Sequence, residues 1–292
     1  NGVDKFSLLA VPFFIFAANV MKNGGIAKRI MNWAKTMVGS SRGSLAVTTE
    51  VSCMFFGAVS GSSPATVVAM GSMMYPELIK EKYPKRFSLG LITAAGSVAI
   101  LIPPSINMIV YGTVTGASVG ALFMGGIGAG LIYGLAYIVY CLWYAKKYNI
   151  PKGKKSTGRE KWAATKDAAW ALGVPVIIMG GIYSGVCTPT EASGVSALYA
   201  IIISMLVYRE MDLKQLWKTC IDSVKACAQV MVMLATASIF SWVLTVGQVP
   251  QTVATLIAEA NFSPFMFLMM VNVLFLIAGM FIDGSSATII LA

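Results

Sequence analysis

The placement of positive charge most constrains what this chain can fold into. Lys and Arg gather in four short stretches, Lys22 to Arg42, Lys80 to Arg86, Lys146 to Lys166 and Arg209 to Lys225, and only Lys5 lies outside them. Between these stretches run apolar segments, several long enough to cross a hydrocarbon core about 30 Å thick. Positive residues concentrated in short loops mark the cytoplasmic side of a membrane protein. The expected fold is therefore an all-α polytopic membrane protein, with the lipid bilayer as its solvent. Composition agrees: 57% of residues are hydrophobic and 12% charged, against about a quarter charged in soluble domains. A net charge of +10 would suit a nucleic-acid surface, but its confinement to loops argues for no nucleic acid.

The chain has no His, and its five cysteines form no CxxC pair. That argues against a disulfide framework or a metal centre and removes the commonest general base. Most of the cysteines lie in apolar runs, where they read as small buried hydrophobes. The chain opens inside an organised segment, so it reads as truncated at both ends.

With the basic stretches inside, Phe6 to Met21 runs inward, Phe87 to Tyr111 outward and Ala121 to Ala145 inward. Ala169 to Gly185 then runs outward, Ser193 to Tyr208 inward and Ala226 to Thr245 outward. The fourth basic stretch, carrying Leu216 and Trp217, reads as an amphipathic surface helix. Val246 to Pro264 has no Lys or Arg and reads as an external loop. Leu45 to Met74 breaks the count, because it is apolar yet begins and ends beside inside stretches. Its centre, Ser60-Gly61-Ser62-Ser63-Pro64, is poor helix material. Each arm is about fourteen residues, or roughly 21 Å of helix, too short to cross. A re-entrant hairpin over 45–74, entering from the cytoplasm, satisfies both constraints.

A second unit resembles the first. Ser263 to Phe281 is apolar and leads to Asp283-Gly284-Ser285-Ser286, and the two Gly-Ser-Ser triplets lie 223 positions apart. This second hairpin follows a loop without positive charge, so it enters from outside. Two similar units of opposite orientation form inverted-topology repeats, as in secondary transporters that bind solute near the midplane. The division is 1–111 for the first repeat, with a hairpin over 45–74 and a broken helix over 87–111. Connecting helices and the amphipathic segment fill 112–222, and 223–292 holds an incomplete second repeat ending in the second hairpin.

The first tip offers hydroxyls from Ser60, Ser62, Ser63 and Thr66, and Gly61 and Pro64 free backbone carbonyls. Such oxygens suit a hard cation, and small residues equally suit close helix packing. Ile102-Pro103-Pro104-Ser105 interrupts the broken helix, removing two amide donors and freeing carbonyls near Ala99 and Ile100, with Ser105 and Asn107 beside the break. Asp283 is an intramembrane carboxylate at the second tip. With Ser285, Ser286 and Thr288 it reads as part of a second sodium site, or as an N-cap. Thr188-Pro189-Thr190-Glu191 reads as a capping box opening a helix. Glu50 reads as a cap or an interfacial charge.

These residues carry a family resemblance. Val11-Pro12-Phe13-Phe14-Ile15, Gly57 to Thr66, Ile102 to Ser105, Thr188 to Ala192 and Asp283 to Ser286 together resemble the large membrane subunit of tripartite ATP-independent periplasmic (TRAP) transporters, the DctM type. The resemblance implies an elevator-type ion transporter with re-entrant hairpins and discontinuous helices in the bacterial inner membrane. It implies sodium as coupling ion and no other cofactor, a small TRAP membrane subunit, and a periplasmic substrate-binding protein. The implied substrate is an organic acid such as sialic acid or a C4-dicarboxylate. By matching motifs, substrate contacts fall on Ser60, Ser105 and Asp283. Sodium contacts fall on Ser60, Gly61, Ser62, Ser63, Thr66, Pro103, Ser105, Asp283, Gly284, Ser285 and Ser286. An enzyme reading would need Ser60 as nucleophile, and no base is at hand. A passive channel or scaffold subunit is the alternative.

Overall fold

The computed structural model describes residues 6–39, 41–150, 156–259, 262–282 and 284–291. They form α-helices and short helical turns, with no β-strand among the described residues. A 3₁₀ turn, Phe6–Leu9, leads into α1 (Ala10–Asn23), followed by α2 (Ile26–Val38). Next come α3 (Ser44–Ser60) and α4 (Ser63–Lys80), then α5 (Lys85–Ser97) and α6 (Ile106–Thr115). The connecting region contributes α7 (Val119–Lys147), α8 (Gly158–Tyr183) and α9 (Pro189–Ile202), the last extended by a π turn through Val207. The chain closes with α10 (Leu213–Val246), α11 (Val249–Glu259), α12 (Pro264–Ala278) and α13 (Gly284–Leu291).

Among the described residues, four helical segments are long and apolar enough to cross a bilayer: Phe6–Asn23, Val119–Lys147, Pro189–Val207 and Leu213–Val246. The expected outward crossing at Ala169 to Gly185 is not among them. Its helix begins at Gly158, and a charged first half of α8 leaves a shorter apolar stretch. The chain is a multi-pass membrane protein, and its apolar helix faces have the exposure that lipid contact requires. Leu131, Ile132, Leu135 and Val139 of α7, for example, are all exposed.

Several boundaries differ from the sequence reading for identifiable reasons. The first basic stretch folds as α2, whose Ile26, Ala27, Ile30 and Ala34 are buried at helical spacing while Lys28 and Asn32 face out. The fourth basic stretch is not a separate surface helix. Asp212 and Gln215 form a capping box, and no Gly or Pro follows before Gly247, so α10 runs unbroken for 34 residues. Val246 to Pro264 contains α11, with Pro250 at its second position, where no amide is needed. The arm read as Ser263 to Phe281 stops at Ala278, where Gly279 follows.

The elements that bear on function pack around α3 and α4, which fold back on each other through Gly61 and Ser62. The hairpin lies against α5, and the approach is close. A Cβ added at Gly57 would stand 2.7 Å from Ala99 Cα, and one at Gly96 would collide with Val67. Cys53, Phe56, Met70, Ala95 and Val98 fill the space between. α1 packs between α9 and α10, and α13 packs on α6 and α10. Cys53 and Cys141 are buried, as small apolar residues would be, whereas Cys187, Cys220 and Cys227 are half-buried.

Candidate functional site

The first tip is built by residues that cannot continue a helix. Gly61 takes a left-handed conformation, φ +59°, and its amide closes α3 on the Gly57 carbonyl at 2.9 Å. Ser62 is extended, and Pro64 lies in the first turn of α4, where its missing amide costs nothing. Inside the tip, the Ser60 and Thr66 hydroxyls are 2.7 Å apart, and Thr66 also donates to the Ser62 carbonyl at 2.9 Å. Three oxygens therefore converge behind Gly61. Ser60 and Thr66 are both buried.

The Pro103–Pro104 break lies directly against this tip. α5 tightens into a 3₁₀ turn, Val98–Ile100, before a cis Pro103–Pro104 bond. The two prolines cannot serve the carbonyls of Ala99 and Ile100 one turn earlier. Ser105 is buried and caps α6 by accepting the Met108 amide at 3.4 Å. The Ile106 amide donates to the Gly61 carbonyl at 3.2 Å. A Cβ at Gly61 would come 2.5 Å from the Pro104 carbonyl oxygen.

The second unit reaches the same place. Ser285, in the first turn of α13, donates to Asn107 Oδ1 at 2.7 Å. Asp283 lies outside the described residues. Between these elements is a cavity of about 640 Å³. Ser60, Gly61, Ser62, Ser63 and Pro64 form one wall, and Ile106 and Asn107 another. Gly284 and Ser285 close it from the second unit, and Asn19 of α1 and Gln229 of α10 face in from the remaining side. No charged residue lines the cavity among the described residues.

Of the residues expected to contact solute or ion, Ser60, Gly61, Ser62, Ser63, Gly284 and Ser285 are brought together at this cavity. Thr66, Pro103 and Ser105 stand behind its wall as supports, and Ser286 does not line it. Asn19 and Gln229 escaped the sequence reading. Their signal was an amide side chain set among apolar residues of a helix, a costly placement inside a membrane. Asn19 is also anchored, donating to the Ser223 hydroxyl at 2.9 Å, and one turn on Asn23 donates to Thr219 at 2.9 Å. Thr188 and Glu191 form the expected capping box of α9 and take no part in the cavity. Glu50 is neither a cap nor an interfacial charge: Gly43 occupies the N-cap of α3, and Glu50 is fully buried.

Among the described residues, helix breaks converge on a cavity without charged lining inside a multi-pass membrane protein, an arrangement suited to a membrane permease. The chain belongs to the family of the tripartite ATP-independent periplasmic transporter, DctM component, whose model matches residues 1–292. It is 40% identical over 307 residues to a C4-dicarboxylate TRAP transporter large permease protein of Rhodobacter capsulatus, covering 100% of this chain and 70% of that protein. A C4-dicarboxylate large permease of Pseudomonas aeruginosa is 42% identical over 289 residues, covering 99% and 68%. An isethionate TRAP transporter permease of Oleidesulfovibrio alaskensis is 41% identical over 296 residues, covering 100% of this chain and 46% of that protein. All three are named as transport permeases, which are not enzymes.

Proposed function

We propose that this protein is the transporting subunit of a secondary uptake system, importing an organic acid anion with sodium through the cavity between the two helix breaks. The observation that carries this reading is the convergence of the Ser60–Pro64 tip, the Asn107 turn and Ser285 on one cavity. Free carbonyls and hydroxyl oxygens suit a hard monovalent cation, whereas hydroxyl and amide donors and helix N-termini suit an anion. In this reading sodium is cargo. Ser60, Thr66 and the Ser62 carbonyl supply oxygens behind the first tip, and Asp283, Gly284, Ser285 and Ser286 supply them from the second.

With no Lys or Arg in the cavity wall among the described residues, the anion relies on hydroxyls, helix N-termini and the bound sodium ions. The relatives named for C4-dicarboxylates and isethionate favour small carboxylates or sulfonates over sialic acid. α3–α4 and α12–α13 act as re-entrant hairpins that enter from opposite sides of the inner membrane and move as one transport domain in an elevator motion. A small TRAP membrane subunit and a periplasmic substrate-binding protein complete the system.

The test is uptake into proteoliposomes of the full-length protein with its small subunit and binding protein. Accumulation under a sodium gradient and not under a proton gradient, reduced by Ser60→Ala, is the expected result. Sodium-indifferent flux that never exceeds equilibrium would replace the transporter by a channel.

A further inference from the structure

α3 holds one acid in its interior. Glu50 has no exposed surface, and neither carboxylate oxygen has a hydrogen-bond partner among the described residues. Ser52, two positions on, is buried with its hydroxyl equally unpartnered. Among the described residues, none of the ion pairs includes Glu50. Tyr137 and Cys141 of α7 and Cys53 of α3 lie within its electrostatic reach, and none of them carries positive charge.

The basic side chains of the surrounding helices are turned elsewhere. Arg29 of α2 pairs with Asp167 and Glu210, and Lys35 pairs with Glu77. Lys85 and Arg86 of α5 and Lys146 and Lys147 of α7 are exposed. An ionised carboxylate in such a place would cost far more than the loss of a proton, so the group neutralises instead.

We infer that Glu50 is a proton-binding site of the first hairpin: it holds a proton while α3 packs on α7 and releases it in any arrangement that brings water to the carboxyl. Glu50 lies outside the cavity wall, so this site is separate from the sodium and solute contacts proposed above. Parting α3 from α7 then releases one proton per protein. Above the carboxyl's own titration point, rising pH favours the parted arrangement by up to about tenfold per pH unit.

The experiment is infrared spectroscopy of the full-length protein in lipid nanodiscs, comparing wild type with Glu50→Gln. At neutral pH a carboxylic C=O band should be present in wild type and missing from the variant. Identical spectra would mean an ionised Glu50 holding a cation or water, and would overturn the site. Should the variant not fold, titrating wild type alone decides. A carboxylic band surviving at neutral pH and bleaching in alkali supports the site, and its absence at neutral pH refutes it. In proteoliposomes under a fixed sodium gradient, uptake by Glu50→Gln should be flatter with pH than wild-type uptake. Identical profiles would refute the link to movement, and loss of sodium dependence itself would instead count against the proposed function.

Discussion

Ser285 donates to Asn107 at 2.7 Å, joining the start of α13 to the turn after the Pro103–Pro104 break across 178 positions of sequence. The bond fixes the distance between the two units that enclose the cavity. A neutral hydrogen bond contributes about 1 kcal/mol net. Asn107→Ala and Ser285→Ala should each weaken solute uptake roughly fivefold, corresponding to that energy. The double variant should lose little more than either alone. Strict additivity in a double-mutant cycle would show that the contact does not hold the units together.

Gly61 combines a left-handed φ with a backbone neighbour that leaves no space for a side chain. Gly61→Ala meets both penalties, about 1 kcal/mol for the conformation and a further 1–3 kcal/mol for the forced approach to Pro104. The apparent melting temperature of the purified protein should fall by several degrees. Gly125→Ala in α7, where an added Cβ has open space, should leave it unchanged or slightly raised.

Gln229 and Asn19 face the cavity from helices outside the hairpin. Gln229→Leu keeps the side-chain volume and removes the amide. It should raise the KM for substrate roughly tenfold, the cost of leaving one polar partner unmatched, while the melting temperature stays near wild type. Equal losses in thermal stability would make Gln229 a packing residue.

Arg29 bridges α2 to α8 and to the segment after α9. Its Nη1 is 2.7 Å from Glu210, its Nε is 3.2 Å from Asp167, and its guanidinium lies 3.7 Å from the centre of the Tyr208 ring. Burial works against the charge, but Glu210 and Asp167 more than offset it and hold the group above the ordinary arginine value. A raised value means the stabilisation is complete below the ordinary value and lost only above it, so it should be flat from neutral to mildly alkaline pH. Arg29→Lys loses the fork and the ring stacking, and both acids are partly exposed. The expected cost is about 1 kcal/mol, read as a drop in melting temperature that shrinks in high salt.

Charge and local chemistry made much of this legible in the sequence. The crossings Phe6–Asn23 and Val119–Lys147, the turn at Gly61 and the break at Pro103 all rest on strong local signals: long apolar runs, glycine, and proline's missing amide. What stayed hidden depends on partners. α2 buries only one narrow stripe, and its amphipathic character was masked by the basic residues used to place the membrane. The unbroken course of α10 was obscured because its first turns are basic and the remainder apolar, a change of environment that reads like a boundary. Asn19 and Gln229 gain meaning only when α1 and α10 bring them to one cavity. Glu50 looked like an edge charge because its distance from the helix start says nothing of the α7 wall against it.

The length of α10 has a mechanical meaning. At 1.5 Å per residue, its 34 residues make a rod about 51 Å long, well beyond the hydrocarbon thickness. The helix holds α1 through Ser223 and Thr219 near one end and touches the cavity through Gln229 near its middle. It has no glycine or proline at which to kink sharply. It is a continuous strut between α1 and the cavity, and the breaks in the chain around that cavity fall instead at Gly61 and the paired prolines.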